Sequence, residues 1–274
     1  MNFDMFQPHH ALDKFIRYYW RLKVSRLPVS DMAQQILAEG VELSFNLGDT
    51  VQVAMEDSTP KKVETVSISG PLTNPMRLIA GGRIDLFGVC FRPGGAYAFF
   101  PYPAHEMTNG FSDAQEMWGP KGAGLVERFY NSCRTSQQRI DYLDRYFLKR
   151  LTQSSQQDKR ISAAIKTIES HKGHISIEYV AKQAGVSSRH LERKFKERVG
   201  LSPKQLCRSL RFKHFVSSKI KNPENSWLDT ALDCGYYDQA HMINDFKQYA
   251  GLSPSAYFEN PVSITPFFTA NFCI

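Results

Sequence analysis

Two stretches of the chain, about fifty residues apart, carry the same marks. Ala181 and Gly185 match Ala231 and Gly235 at an offset of 50. Phe195, Gly200 and Leu201-Ser202-Pro203 match Phe246, Gly251 and Leu252-Ser253-Pro254 at an offset of 51. A small residue, a glycine, an inward aromatic and a second glycine at fixed spacing describe one supersecondary unit used twice, with one residue inserted in the turn. The first copy, SIEYVAKQAGVSSRHLERKFKERVG over 176–200, reads as two short helices meeting at Gly185. A glycine there can take the left-handed conformation that ends a helix. Ala181 is small where a second helix crosses closely, and Val186 plugs the turn. Ser187 or Ser188 caps the next helix, whose Leu191, Phe195 and Val199 face inward at i, i+4 and i+8. Two helices joined by a tight turn form the element that presents a reading helix to the major groove.

The chemistry on the outer faces differs between the copies. In the first, Arg189, Arg193 and Lys196 lie at i, i+4 and i+7, with Glu192 beside them. Arginine can bond guanine O6 and N7 as a bidentate pair, and a carboxylate can accept from the cytosine amine. Glu192 can also serve only to orient Arg189 or Arg193. Lys196, Arg208 and Arg211 are expected to meet phosphates, which position without specifying. In the second copy Asp238 caps a helix with Met242, Phe246 and Tyr249 inward and Gln239, His241 and Asn244 outward. Gln and Asn suit adenine edges. Ser202 and Pro203 open a long helix, 203–220, that connects the copies.

Charge is segregated in the same way. The chain carries 34 Lys+Arg and 27 Asp+Glu, net +7. Residues 158–221 hold 16 basic and 5 acidic side chains, whereas 222–258 hold 1 and 5. A basic module attached to a neutral one fits polyanion binding. The first copy is therefore expected to supply most of the electrostatic grip, and the second to refine specificity.

The preceding half alternates as strands do. Ile16, Tyr18, Trp20, Leu22 and Val24 share one side of a strand, opposite Arg17, Tyr19, Arg21 and Lys23. Val41 to Leu47 is a second strand, with Val51–Met55 expected as its hairpin partner. Val63–Ser69 is a third. Met76–Ala80 and Arg83–Phe91 flank Gly81-Gly82, a two-residue hairpin signal. Short antiparallel strands at this spacing suggest a barrel or sandwich. Helices are expected over 96–108, interrupted by Pro101 and Pro103, and over 123–132 and 136–151. The last has Ser136 as cap and the stripe Ile140, Leu143, Phe147 and Leu151, which packs on the strands or pairs with a second subunit. Polar residues 152–157 read as a linker between a regulatory domain, 1–151, and a DNA-binding domain, 158–260, followed by a tail, 261–274.

The stretches AKQAGVSSRHLERKFKERVGLSP and ALDCGYYDQAHMINDFKQYAGLSP, followed by Tyr257, resemble the DNA-binding domain of AraC/XylS-type bacterial transcription regulators. The resemblance covers about Ile161 to Phe258. It implies seven helices, with two helix-turn-helix units on a shared linker helix and reading helices in successive major-groove segments. By position, Arg189, Glu192 and Arg193 would face bases in the first unit, and Gln239, Ala240 and Asn244 in the second. The family often has Arg where Asn244 stands. ILAEGVELSFNLGD and LFGVCFRPGGAYAFF are similar to the regulatory domains of some such proteins, implying a cupin-like barrel. The fold class expected is thus α+β: an antiparallel β-rich domain with helices, then an all-α domain.

The function expected is sequence-specific transcription regulation, with activation as the expected sign and repression left open, controlled by a small-molecule effector or by dimerisation. Expected partners are double-stranded DNA, the effector, RNA polymerase and a second copy of the chain, without a membrane. No cofactor or metal is implied: the N-terminal histidines His9, His10 and His105 lack a ligating spacing. MNFDMFQPHH has neither a basic start nor an apolar core, so a cytoplasmic location is expected. Two other readings stay open. One is a DNA-repair alkyl acceptor that uses a cysteine, with Cys90 in an apolar strand pattern and Cys133 beside Arg134 as the candidates and no base or metal motif beside either. The other is a protein-interaction adaptor whose units have lost DNA binding.

Overall fold

The computed structural model describes residues 2–25, 40–55, 58–63, 65–100, 102–114, 120–152 and 158–259, with the side chains of 120–123 left aside. The expected linker, apart from Thr152, and the expected tail fall outside the described residues.

Among the described residues, nine strands form two antiparallel sheets. The larger contains β1 (Asn2–Phe6), β2 (Ile16–Val24), β3 (Glu42–Asn46), β6 (Val66–Ser69), β8 (Ile84–Phe91) and β9 (Phe111–Asp113), ordered β1-β2-β8-β3-β6-β9. The smaller is β5 (Lys61–Lys62), β4 (Val51–Met55) and β7 (Met76–Ala80), in that order. Tyr18, Trp20 and Leu22 of the large sheet meet Val51, Val53 and Leu78 of the small one in a shared core. Among the described residues no strand ladder joins the sheets, so the cupin-like arrangement is open rather than a closed barrel.

Both expected hairpins are corrected. β4 pairs with β5 and β7, not with β3, and β7 pairs with β4, not with β8. The Gly81-Gly82 turn reverses the chain but carries it from one sheet to the other. β8 has no free edge for β7, because β2 and β3 occupy both sides of it. All eight β8 residues are buried, because cores pack on both faces of the strand, Phe87, Val89 and Phe91 on one and Ile84, Leu86 and Cys90 on the other. Gly88 is required there: a Cβ would lie 2.1 Å from the Trp20 indole.

β2 also departs from simple alternation. A bulge between Ile16 and Tyr18 shifts the register, so Ile16 joins the core on the helix side and Tyr18 the core between the sheets. Such an extra residue reorients the side chains on either side of it. Tyr19, expected on a solvated side, is 0% exposed and donates its hydroxyl to Asp144 at 2.8 Å. That side is covered by α1 (Pro120–Asn131) and α2 (Ser136–Leu151). Ile140, Leu143 and Phe147 of α2 pack there as expected, against Phe91 and Phe99 among others. The α2 cap is Thr135 rather than Ser136, in a reciprocal capping box with Gln138. Over 96–108 the chain makes two 3-10 turns, Ala96–Ala98 and Ala104–Met107.

Seven helices follow among the described residues: α3 (Lys159–Ser170), α4 (Ile177–Gln183), α5 (Ser188–Val199), α6 (Pro203–Lys221), α7 (Trp227–Asp233), α8 (Gln239–Ala250) and α9 (Pro254–Glu259). They hold two cores, one around Leu191 and Phe195, the other around Phe215 and Phe246. The helical part touches the sheets at several points. Arg17 of β2 pairs with Glu169 of α3 at 3.0 Å. Tyr97 donates to Glu197 at 3.2 Å, and Arg198 lies 4.9 Å over the Tyr97 ring. A cleft of about 630 Å³ opens between the two parts, bordered by Phe15, Arg92, Tyr97, Ile165, Lys166 and Arg198. No described helix is long and apolar enough to cross a membrane.

Candidate nucleic-acid interface

The repeat is a structural repeat. α4 and α7 each have 7 residues, and α5 and α8 each have 12. Ser176 and Ser226 cap the first helices, and Ser187 and Asp238 cap the second. Between them Gly185 and Gly235 stand at φ +65° and +81°. In each turn the next residue's amide reaches back to the alanine carbonyl: Val186 to Ala181 at 3.1 Å, Tyr236 to Ala231 at 3.0 Å. Both units end alike, at Gly200 (φ +85°) and Gly251 (φ +62°). Local hydrogen bonding thus builds the same turn twice, and Ala181 and Ala231 are buried where the helices cross.

α6 holds the units together. Its opening is the expected one: Ser202 caps it, Gln205 completes a capping box and Pro203 occupies the first turn. At 19 residues it is roughly 28 Å long. Leu206 and Cys207 sit in the first unit's core, Phe212, Phe215 and Val216 in the second's.

On α5, Arg189, Glu192, Arg193 and Lys196 are all exposed, while Leu191, Phe195 and Val199 are 0–1% exposed. The structure therefore brings the four expected residues of the first unit onto one open face. Arg193 Nη2 lies 3.4 Å from His190 Nδ1. His190 is thus a neighbour that orients the Arg193 fork. The sequence reading passed over it, although the i, i+3 spacing on a helix was available as a signal. On α8, Gln239, Ala240 and Asn244 are exposed. His241 is half-buried, its ring edge-on to Tyr236 at 5.1 Å, so one side of the imidazole is taken up by packing. Tyr237, beside the start of α8, is 88% exposed. No periodic pattern marks it, and nothing in the sequence singles it out.

Arg208 and Arg211, expected to meet phosphates, already have partners within the chain. Arg208 bonds Asp245 Oδ1 through Nε at 3.1 Å and Nη2 at 2.6 Å, and Gln248 Oε1 at 2.6 Å. Arg211 lies 5.5 Å over the Tyr236 ring with its Nε enclosed. Both guanidinium groups tie α6 to the second unit. Part of the basic surplus is internal in the same way. Lys213 and Lys219 are buried, and Lys219 donates to the carbonyls of Pro223 and Asn225, closing the turn before α7. Of the acidic residues of the second unit, Asp245 is internal at 0% exposure, whereas Asp238, which caps α8, and Asp229, which accepts from Ser226, stay exposed. Leu228 and Leu232 of α7 remain exposed.

Among the described residues, burial raises every cysteine thiol. Cys90, Cys133, Cys207 and Cys234 are all buried. Burial pushes Cys90 up to about 12 and Cys207 up to about 11, and also raises Cys133 and Cys234. A thiolate nucleophile needs the opposite shift. Cys273 lies outside the described residues.

Comparison with known proteins gives two separate matches along the chain. Residues 180–260 match a family profile described as "Helix-turn-helix domain", and residues 4–113 match one described as "Domain of unknown function (DUF6597)". An uncharacterized HTH-type transcriptional regulator of Haemophilus influenzae is 33% identical over 102 residues, 37% of this chain and 34% of that protein. The HTH-type transcriptional regulator MtrA of Neisseria gonorrhoeae is 32% identical over 102 residues, with the same coverage. The chain spans about a third of the length of these curated relatives. Among solved structures, ToxT from Vibrio cholerae superposes with a TM-score of 0.46 at 10% identity, over 88% of this chain and 97% of that one. A Chromobacterium violaceum regulator with an AraC-type DNA-binding domain gives 0.33 at 23% identity, over 36% and 88%.

Proposed function

We propose, for a chain whose C-terminal part carries an AraC-type helix-turn-helix domain, that it is a sequence-specific DNA-binding transcription regulator. The observation that carries this reading is the open face of α5. Arg189, Glu192, Arg193 and Lys196 are exposed together on a helix whose opposite side is sealed in the core. Residues near the start of such a helix reach base edges first. Arg189 and Arg193 bind guanine, Glu192 accepts from cytosine or orients the arginines, and Lys196 holds a phosphate. Gln239 and Asn244 of α8 read a second segment with little added charge. The single-unit affinity therefore rests on α5.

Residues 1–151 form the regulatory domain, through which a small molecule or a second copy controls binding. Effector control is favoured by the cleft of about 630 Å³ between the sheets and the helices, where Lys166, Arg92 and Arg198 lie beside Phe15, Tyr97 and Ile165. RNA polymerase contact, activation and a cytoplasmic site of action belong to the same reading. It is tested by selecting bound sequences from a random DNA library with the purified full chain. Enrichment of a defined motif is expected. Uniform, salt-labile binding without enrichment would leave only a basic surface.

A further inference from the structure

The two reading helices end against one short segment of the N-terminal domain. Gly200 closes α5 and Gly251 closes α8, and they are equivalent positions of the repeat. A Cβ on Gly200 would lie 2.8 Å from Pro71 Cγ and 2.8 Å from the Ala104 carbonyl oxygen. A Cβ on Gly251 would lie 3.0 Å from Pro75 Cγ. Pro71 and Pro75 are four residues apart, a reach of at most ~14 Å. Thr108 adds a hydrogen bond, its hydroxyl donating to the Gly200 carbonyl at 2.6 Å.

The segment is built to be stiff. Asn109, held at φ +56°, donates its amide to the Pro71 carbonyl at 3.0 Å. Its side chain accepts from the Thr73 amide at 2.7 Å and donates to the Thr73 hydroxyl at 2.8 Å. Gly70 donates to Gly110 at 3.2 Å. Two prolines with fixed φ complete the brace. The contacts fall at the C-terminal ends of α5 and α8, away from the helix starts that face DNA.

We infer that Pro71, Pro75 and Thr108 are positioning residues for DNA recognition: they brace both reading helices at their ends and so set the distance between the two half-sites the chain accepts. This rests on the DNA-binding reading and deepens it. α6 already packs into the cores of both units, and a common stop at the far ends of both reading helices adds a second fixed point to their separation. The N-terminal domain thereby acts on recognition mechanically, without touching a base.

The test is selection from a random DNA library with the full chain, read as the distribution of spacings between two enriched half-sites. The unaltered chain is expected to show one sharp spacing. P71A/P75A, and more mildly T108V, should keep both half-site sequences and lose the sharpness of the spacing. Circular dichroism and a thermal melt check the fold. Should the double variant be unfolded, T108V decides. An unchanged spacing in the folded variants overturns the inference while DNA binding stands. Enrichment of only one half-site by the unaltered chain does the same, since there is then no spacing to set. Enrichment of no sequence at all overturns the DNA-binding reading, and this inference with it.

Discussion

Arg208 of α6 grips Asp245 of α8 at 2.6 Å, with the carboxylate wholly enclosed and the guanidinium side chain 27% exposed. The pair joins the connecting helix to the second reading helix, and Gln248 shares the same nitrogen. Breaking one partner of an enclosed ion pair leaves a charge without compensation. Asp245→Ala is therefore expected to cost about 3 kcal/mol in urea unfolding, the partial exposure of Arg208 keeping it near the low end of the usual range. A loss within experimental error would mean the pair does not hold the unit.

The same pair separates two kinds of cation. Lys196→Ala should lower the slope of log affinity against log salt by about 0.9, the value for one phosphate contact. Arg208→Met should reduce stability yet leave that slope unchanged, because its charge is already used inside the protein. Fluorescence anisotropy over a salt series distinguishes them. Equal changes in slope would return Arg208 to the DNA surface.

Arg193→Ala is expected to weaken binding to the selected sequence by about 1–3 kcal/mol and relax one base position. His190→Ala should act in the same direction but less, since it orients Arg193 rather than replacing it. Binding isotherms on the selected site and on single-base variants give both numbers. Undiminished discrimination in Arg193→Ala would exclude it from base reading.

Glycines with the same local conformation should differ in cost. Gly185 has open space around it, so Gly185→Ala carries only the left-handed strain, about 1 kcal/mol. Gly200→Ala adds a collision with Pro71 and the Ala104 carbonyl, and it should destabilise more. Thermal melts of the two variants test the order. Equal shifts would mean the domains part easily at this contact.

Glu42, buried in β3, has a carboxyl pushed up to about 7 by desolvation, with Lys213 of α6 pulling it the other way. Its folded value exceeds its unfolded one, so the folded state binds the extra proton. That contribution is fully present below the unfolded value near 4.5 and is lost as pH rises through about 7. Glu42→Gln should flatten the fall in melting temperature between about pH 5 and pH 8. An unaltered pH profile in the variant would assign the effect elsewhere.

Much of the helical half was legible because its signals are local. Ser187, Ser202 and Asp238 cap within three residues of themselves, and Gly185 and Gly200 end helices by their own backbone conformation. The inward set Leu191, Phe195 and Val199 follows from helical periodicity alone. The strands were legible as segments for the same reason, but their pairing was not. A Gly-Gly turn states that the chain reverses, whereas the partner of β7 depends on which edges β8 has already given to β2 and β3. The Ile16–Tyr18 bulge likewise follows from pairing with β8, not from β2 itself.

The sequence by itself determined the repeated unit, its caps and turns, and the four polar residues of α5, because each depends on neighbours within one or two helical turns. Tertiary structure decided which charges are free. Arg208 and Arg211 read as surface cations until Asp245 and Tyr236 arrive from other parts of the chain. It also decided that Pro71 and Pro75 meet the ends of both reading helices. Such contacts join residues tens to more than a hundred positions apart, and no local pattern encodes where a distant partner will stand.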